Sequence, residues 1–159
     1  MRKPVLWGLG AGLVVLLVGI YIYHTATSVT KAYIDPSDAR LVQLGKQVYA
    51  AQCAACHGAN LEGEPNWRQR KPNGRLPAPP HDVSGHTWHH PDQVLFDIVK
   101  NGLVPGVTAP IGYESDMPAY STVLTDEEIR ASLAYIKRAW PEKAKTVQQQ
   151  LTQEYQKAQ

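Results

Sequence analysis

The stretch "YAAQCAACHGANLEG", Tyr49 to Gly63, decides how this chain is read. It holds both cysteines of the 159-residue sequence, spaced Cys53-x-x-Cys56, with His57 directly behind. Four kinds of chemistry compete for two thiols and an imidazole packed this tightly. A redox dithiol needs its first cysteine at a helix N-terminus following a strand, and no strand pattern precedes Cys53. A structural zinc site needs four ligands, and the chain has no third cysteine. A disulfide across two intervening residues closes a loop too small to stabilise much. The fourth is covalent haem attachment, in which each thiol adds to a vinyl group and the adjacent histidine ligates the iron. This reading uses all three side chains and asks for nothing the chain lacks.

Outward from the motif, the sequence predicts helices joined by long loops. Asp35 as N-cap, Pro36 at the first helical position and Asp38 at N3 predict a helix that opens at Asp35. Leu41, Leu44, Val48 and Tyr49 give it one apolar stripe, and it runs straight into the cysteines. "HPDQVLFDIVKNG" predicts a second helix, with Pro91 at its start, Asn101-Gly102 at its end and an apolar face of Val94, Leu95, Ile98 and Val99. "TDEEIRASLAYIKRAW" predicts a third, opened by a capping box of Thr125 and Glu128, with Leu133, Tyr135 and Ile136 as packing candidates. Beyond Trp140-Pro141 the chain turns polar, and Val147, Leu151 and Tyr155 at four-residue spacing suggest a lightly packed surface helix or tail over 141–159. Twelve glycines and twelve prolines account for the loops. The fold class expected is a small all-α domain over 35–140.

The N-terminus predicts where that domain resides. Arg2 and Lys3 precede a run from Val5 to Tyr23 without a charge. Its length as a helix, roughly 28 Å, matches the hydrocarbon core of a bilayer. Trp7 at one end and Tyr21 and Tyr23 at the other suit the interfaces, and the basic residues mark the cytoplasmic side. A cleaved signal peptide is the rival, but its apolar region is normally shorter, and Ala26-Thr27-Ser28 only imitates a cleavage site. The expectation is a single-pass anchor over 1–24 in a bacterial inner membrane, a linker over 25–34, and everything beyond on the periplasmic side. Gly8 and Gly12 have the spacing of closely approaching membrane helices, a pattern chance explains equally well. Sixteen Lys and Arg against 14 Asp and Glu leave no basic face for nucleic acid.

A haem iron held by His57 has a sixth position to fill. Met117 is the only methionine besides the initiator. It lies in "YESDMPAYSTVLTDEE", a loop rather than an apolar helical face, where a core-filling methionine would sit. A thioether raises the potential of haem iron, and Pro118 stiffens the exit from the loop. His81, His86, His89 and His90 compete for the position, while His24 is too close to the membrane.

With these pieces in place, the chain resembles a class I c-type cytochrome with a membrane anchor, from about Asp35 to Trp140. The resemblance rests on Cys53, Cys56 and His57 as haem motif and on Met117-Pro118-Ala119-Tyr120 as distal loop. It implies one haem c, covalent through Cys53 and Cys56, with His57 and Met117 as iron ligands. It also implies that the first helix crosses the last core helix, with Gly45 and Tyr49 on one side of the crossing. Ser132 departs from the pattern, since a larger aliphatic is usual three residues before the tyrosine. A backbone carbonyl is expected to fix the His57 ring, and Pro65 is the residue assigned to it.

Two further patterns remain open. "HDVSGHTWHH" concentrates His81, His86, His89 and His90, either for a second metal or as a loop that meets the propionates and caps the next helix. The second reading is favoured, because no thiol or carboxylate completes a convincing site. "NWRQRKPNGR" carries Arg68, Arg70, Lys71 and Arg75 without an acid. Trp67, Arg68 or Arg70 is expected at a propionate, and a basic docking patch stands beside that reading. With no second haem motif and no acid–base pair near Met117, the expected role is electron transfer rather than catalysis. Single electrons would pass between complexes such as a quinol-oxidising complex and a terminal oxidase, in a respiratory or photosynthetic chain, with no small-molecule substrate. A fixed haem subunit of such a complex is the alternative. A haem sensor or enzyme would require an open sixth position.

Overall fold

The structure, a computed structural model, describes residues 14–21 and 33–159. They belong to two units, 1–33 and 34–159, each described by itself. In the first, residues 14–21 are helical with exposed side chains. The rest of the expected anchor, and nearly all of the linker over 25–34, lie outside the described residues. Among the described residues no helix is long and apolar enough to cross a membrane.

The second unit is built from helices α1 (Ala39–Gln52), α2 (Ala54–His57), α3 (Asp92–Asn101), α4 (Asp126–Arg138) and α5 (Glu142–Lys157), with a 3₁₀ turn at Thr87–His89. No strand occurs among the described residues; a single isolated bridge joins Pro105 and Ala109. The start of α1 differs from the sequence expectation. Asp35 is engaged in a turn, its Oδ1 accepting from Ser37 N at 2.8 Å and Ser37 Oγ at 2.7 Å. Asp38 is the cap instead and accepts from Leu41 N at 3.0 Å. Either aspartate suits a cap, and the local serine decides between them. The other two boundaries follow the sequence. Helix α3 ends at Gly102 with φ 78°, and Thr125 and Glu128 form the reciprocal capping box of α4.

Helices α1 and α4 cross with almost no room between them. A Cβ at Gly45 would lie 1.8 Å from Ala131 O and 3.0 Å from Tyr135 Cβ, so only glycine admits this approach. One turn on, the Tyr49 and Tyr135 rings meet at 5.3 Å between centroids. Ile129, Leu133, Ala134 and Ile136 extend the core from α4, Trp140 from just beyond its end, and Leu95 joins it from α3. Ser132 does not open the crossing: it is buried, and its hydroxyl donates to Ile129 O at 2.8 Å.

Helix α5 is attached through a polar stripe. The residues it buries are Ala144, Gln148 and Thr152, one position over from the apolar trio Val147, Leu151 and Tyr155. Gln148 and Thr152 converge on Asp92, at the first position of α3. Asp92 Oδ1 accepts from Gln148 Nε2 at 2.7 Å, Oδ2 accepts from Ile34 N at 2.7 Å, and Asp92 N donates to Thr152 Oγ1 at 3.0 Å. Lys137 of α4 completes the cluster, its Nζ 2.7 and 2.8 Å from the two carboxylate oxygens. The two side chains of this ion pair are 1 % and 0 % exposed. Burial of an ion pair is tolerated only when further hydrogen bonds satisfy the charged groups, and Asp92 has them from Ile34 and from two residues of α5.

Two substitutions test this packing. Gly45→Ala should lower stability by about 2 kcal/mol net, because overlap with a backbone carbonyl outweighs the helix propensity alanine brings. Asp92→Asn removes the carboxylate charge beside the buried Lys137 and should cost about 3–5 kcal/mol. Denaturant midpoints of the haem-loaded chain measure both; a midpoint within error of wild type contradicts the corresponding packing argument.

Candidate haem site

The cysteines sit where α1 ends. Cys53 is the C-cap of α1, its N–H bonded to Tyr49 O, and α2 carries the chain on to His57. Gly58, at φ 81°, stops that turn. Both thiols are free; Cys53 is half-buried and Cys56 exposed. Burial, and then the neighbouring Cys56, push the Cys53 thiol up to about 11. That is the reverse of the depressed pKa a redox dithiol requires, and a helix C-terminus disfavours a thiolate for the same electrostatic reason.

His57 is buried, with Nδ1 2.8 Å from Pro79 O. A carbonyl can only accept, so Nδ1 carries the proton and Nε2 keeps its lone pair for a metal. Burial pulls the His57 pKa down and the bond to Pro79 pulls it partly back, which favours the neutral, ligating ring. The carbonyl is not that of Pro65, as the sequence suggested; Pro65 is exposed. The chain after Gly58 turns back through Leu61 (φ 70°) and Gly63 (φ 69°), and Gly63 N donates to His57 O at 2.8 Å. The lobe over 64–78 is then closed at its neck. Glu64 N donates to Ala78 O at 2.9 Å, and Ala78 N donates to Glu64 Oε2 at 2.6 Å. That closure delivers Pro79 to the histidine.

His81 completes the proximal side. Its ring stacks on His57 at 3.8 Å between centroids and 16° between planes. Its backbone is held at both ends: His81 N donates to Leu61 O at 2.8 Å, and Trp140 Nε1 donates to His81 O at 2.8 Å. Rings face to face at this distance cannot approach one iron from opposite sides, so His81 is not placed as a sixth ligand. His81 Nδ1 is buried without a hydrogen-bond partner. An orphaned polar nitrogen beside an imidazole whose Nε2 keeps its lone pair fits a site that a bound group completes. Together with two free thiols and an available Nε2, the donor set fits haem c.

The remaining histidines among the described residues pair with rings. His86 stacks on Trp67 at 5.7 Å and meets His90 edge-on at 5.5 Å, while His89 lies 3.7 Å from Trp88. Among the described residues no three His, Cys, Asp or Glu side chains gather to hold a metal ion. The Arg68 guanidinium lies 4.0 Å over the Trp67 ring and 3.4 Å from Ser84 O, and Arg70 donates to Gly74 O at 2.6 Å.

The distal loop returns to the motif. Tyr120 OH donates to Gln52 O at 2.7 Å, the residue before Cys53. Tyr120 N and Ser121 N donate to Val99 O and Lys100 O at 3.1 and 2.9 Å, which ties the loop to the end of α3 as well. Met117, three residues upstream of Tyr120, is half-buried, its N–H bonded to Ser115 Oγ at 3.0 Å. The acids that "NWRQRKPNGR" lacks come from elsewhere in the chain. Lys71 meets Glu64 and Asp116, and Arg75 meets Glu114 and Asp116. Sequence reasoning missed Pro79, and it named His81 and Tyr120 without the contacts they make, which depend on where long loops close.

The family model described as cytochrome c oxidase, cbb3-type, subunit III matches residues 40–136, which span the cysteines, His57 and Met117. The chain belongs to this family of class I c-type cytochromes. The family implies covalently bound haem c. Cytochrome c-555 of Prosthecochloris aestuarii is 32% identical over 81 residues, 47% of this chain and 79% of that protein. A nitrite reductase of Stutzerimonas stutzeri is 29% identical over 140 residues, 84% of this chain and 20% of that protein. The cbb3-type cytochrome c oxidase subunit FixP of Rhizobium meliloti (strain 1021) is 51% identical over 40 residues, 25% of this chain and 14% of that protein. The chain therefore spans a fifth or less of the length of these last two relatives. No solved structure matches it.

The neck of the proximal lobe makes a pH prediction. The Ala78 N–H, aided by Lys71, holds the Glu64 carboxyl below its ordinary value of 4.5. A depressed carboxylate contributes stability above its unfolded pKa and loses it as pH falls through the folded one. The stability gap between wild type and Glu64→Gln should therefore be full at neutral pH and shrink below about pH 4.5. A gap that stays constant down to pH 3 or so would count against the neck.

Proposed function

We propose that the chain is a membrane-tethered monohaem cytochrome that carries single electrons outside the cytoplasm between redox complexes. The observation that carries this reading is the pairing of His57, tautomerised for metal by Pro79 O, with a Met117 loop stitched to Gln52 beside the cysteines. Haem c bound through Cys53 and Cys56 supplies an iron that alternates between ferric and ferrous. The residues around it do the rest. His57 would hold the iron through Nε2, and Met117 would supply a thioether as its second protein ligand and so exclude exogenous ligands. A quinol-oxidising complex and a terminal oxidase have the chemistry to act as donor and acceptor. The apolar run over 5–23 supports the tether.

A second reading, a fixed haem subunit of a membrane oxidoreductase, is favoured by the match to a subunit family and by the likeness to FixP. Replacing residues 1–24 with a cleavable export signal separates the two. A tethered carrier should become a soluble haem protein that still accepts electrons from the same donor, at a lower rate at equal total amount. A fixed subunit should lose activity and its co-purifying complex together.

Met117→Leu tests the distal ligand. The variant should lose the weak red ferric absorption of a sulfur–iron bond, show a lower potential, and bind carbon monoxide when reduced. If the wild-type protein already binds carbon monoxide readily at neutral pH, the sensor or enzyme reading replaces the electron carrier.

A further inference from the structure

Upstream of Met117 the distal loop leans on the proximal lobe rather than on a helix. Arg75 bridges the Glu114 and Asp116 carboxylates, with Nε 3.5 Å from Glu114 Oε2 and an N–H group of the guanidinium on Asp116 Oδ1. Lys71 bridges the other way, 3.9 Å from Asp116 Oδ2 and 3.4 Å from Glu64 Oε2. The Arg70 guanidinium sits over the Tyr113 ring at 5.9 Å. Glu64 in turn binds Ala78 N, one residue before the Pro79 carbonyl that orients His57. A polar chain thus runs from the proximal histidine to the residue preceding Met117. Pro79, Ala78, Glu64, Lys71 and Asp116 are its successive members.

We propose that Lys71 and Arg75 are positioning residues: through Asp116 and Glu114 they clasp the distal loop to the proximal lobe and hold the Met117 thioether on the iron. The proposal rests on the reading of Met117 as axial ligand. Its argument is one of tethers. Downstream, Tyr120 and Ser121 fix the loop to α1 and α3 through three hydrogen bonds. Upstream lies a run over 102–112 that includes Gly102, Gly106 and Gly112 at positive φ, with hydrogen bonds largely internal to the run. Between the two, the Tyr113 ring meets Arg70, and Glu114 and Asp116 are the charged side chains that reach the lobe. An isolated exposed ion pair is worth little, but here five charges share partners between a lobe closed at its neck and a loop already fixed at its downstream end. A thioether binds ferric iron less firmly than ferrous, so the ferric state is where a loosened loop shows first.

The test uses the full-length haem-loaded protein in detergent, with imidazole as a probe that competes for the ferric sixth position. Arg75→Gln should raise the apparent imidazole affinity roughly two- to fivefold, and Lys71→Gln with Arg75→Gln should raise it further. Arg75→Lys, which keeps the charge but not the fork, should fall between. High salt should raise the wild-type affinity towards that of the double variant and leave the double variant nearly unchanged. Arg40→Gln, which breaks the comparable exposed pair of Arg40 with Glu127, should leave imidazole binding at the wild-type value. A wild type that shows the sulfur–iron band, together with an Arg75→Gln variant of unchanged affinity, overturns the clasp alone. A wild type without that band overturns the Met117 reading and the clasp with it.

Discussion

The hydrogen bond from His57 Nδ1 to Pro79 O is the contact on which the rest of the site depends. It fixes the imidazole tautomer and its plane, and it requires the chain to travel 22 residues from His57 and come back. That return shapes the proximal half of the domain. It closes the neck at Glu64 and Ala78, places His81 against His57, and threads the His81 backbone between Leu61 and Trp140. Leu61 holds a left-handed conformation there, unusual for a bulky residue. Its carbonyl accepts from both His81 N and Asp82 N, which over-determines the turn.

Where local chemistry dictates structure, the sequence could be read directly. The capping box at Thr125 and the proline start and glycine end of α3 each depend on one or two residues whose geometry leaves few choices. The cysteine–histidine motif is legible for the same reason, whereas Gly45 at the helix crossing was placed by the resemblance alone. Asp35 and Asp38 show the limit of such reading, because both are good caps and a serine hydroxyl chose between them. At α5 the spacing suggested a helix, which is present, but not its buried face. Periodicity marks buried faces by their apolar residues, and beside Ala144 the buried face of α5 is Gln148 and Thr152, held by hydrogen bonds to Asp92 and His90. Lys137 escaped for the same reason, since a lysine in a helical stripe ordinarily signals solvent.

The role of Pro79 and the stacking of His81 on His57 were illegible for a different reason. Assigning the carbonyl to Pro65 assumed a short return, and nothing in "EPNWRQRKPNGRLPAPP" states that its two ends pair. Loop closure is a long-range property, decided here by a carboxylate on a backbone amide and by lysine and arginine reaching acids 40 or so residues away. The basic character of that segment was visible, but its partners were not. What reads as a docking patch in sequence is, at Lys71 and Arg75, largely neutralised by the chain's own acids.

That neutralisation bears on how such a protein meets its partners. Arg40 with Glu127, Lys100 with Asp126 and Lys145 with Glu142 are likewise paired at the surface. Apart from Arg2 and Lys3, 14 basic residues face 14 acidic ones. A surface of short-range, mutually compensated charges projects little field beyond a Debye length of about 8 Å. A freely diffusing carrier with such a surface forgoes the rate gain that long-range steering supplies. The proposed tether would replace that gain, because it would keep the haem domain at high effective concentration beside any complex in the same membrane, whatever the salt. The charge balance of this chain and the apolar run at its N-terminus therefore support the same reading, in which encounter is set by confinement and the ionic groups serve the loops around the iron.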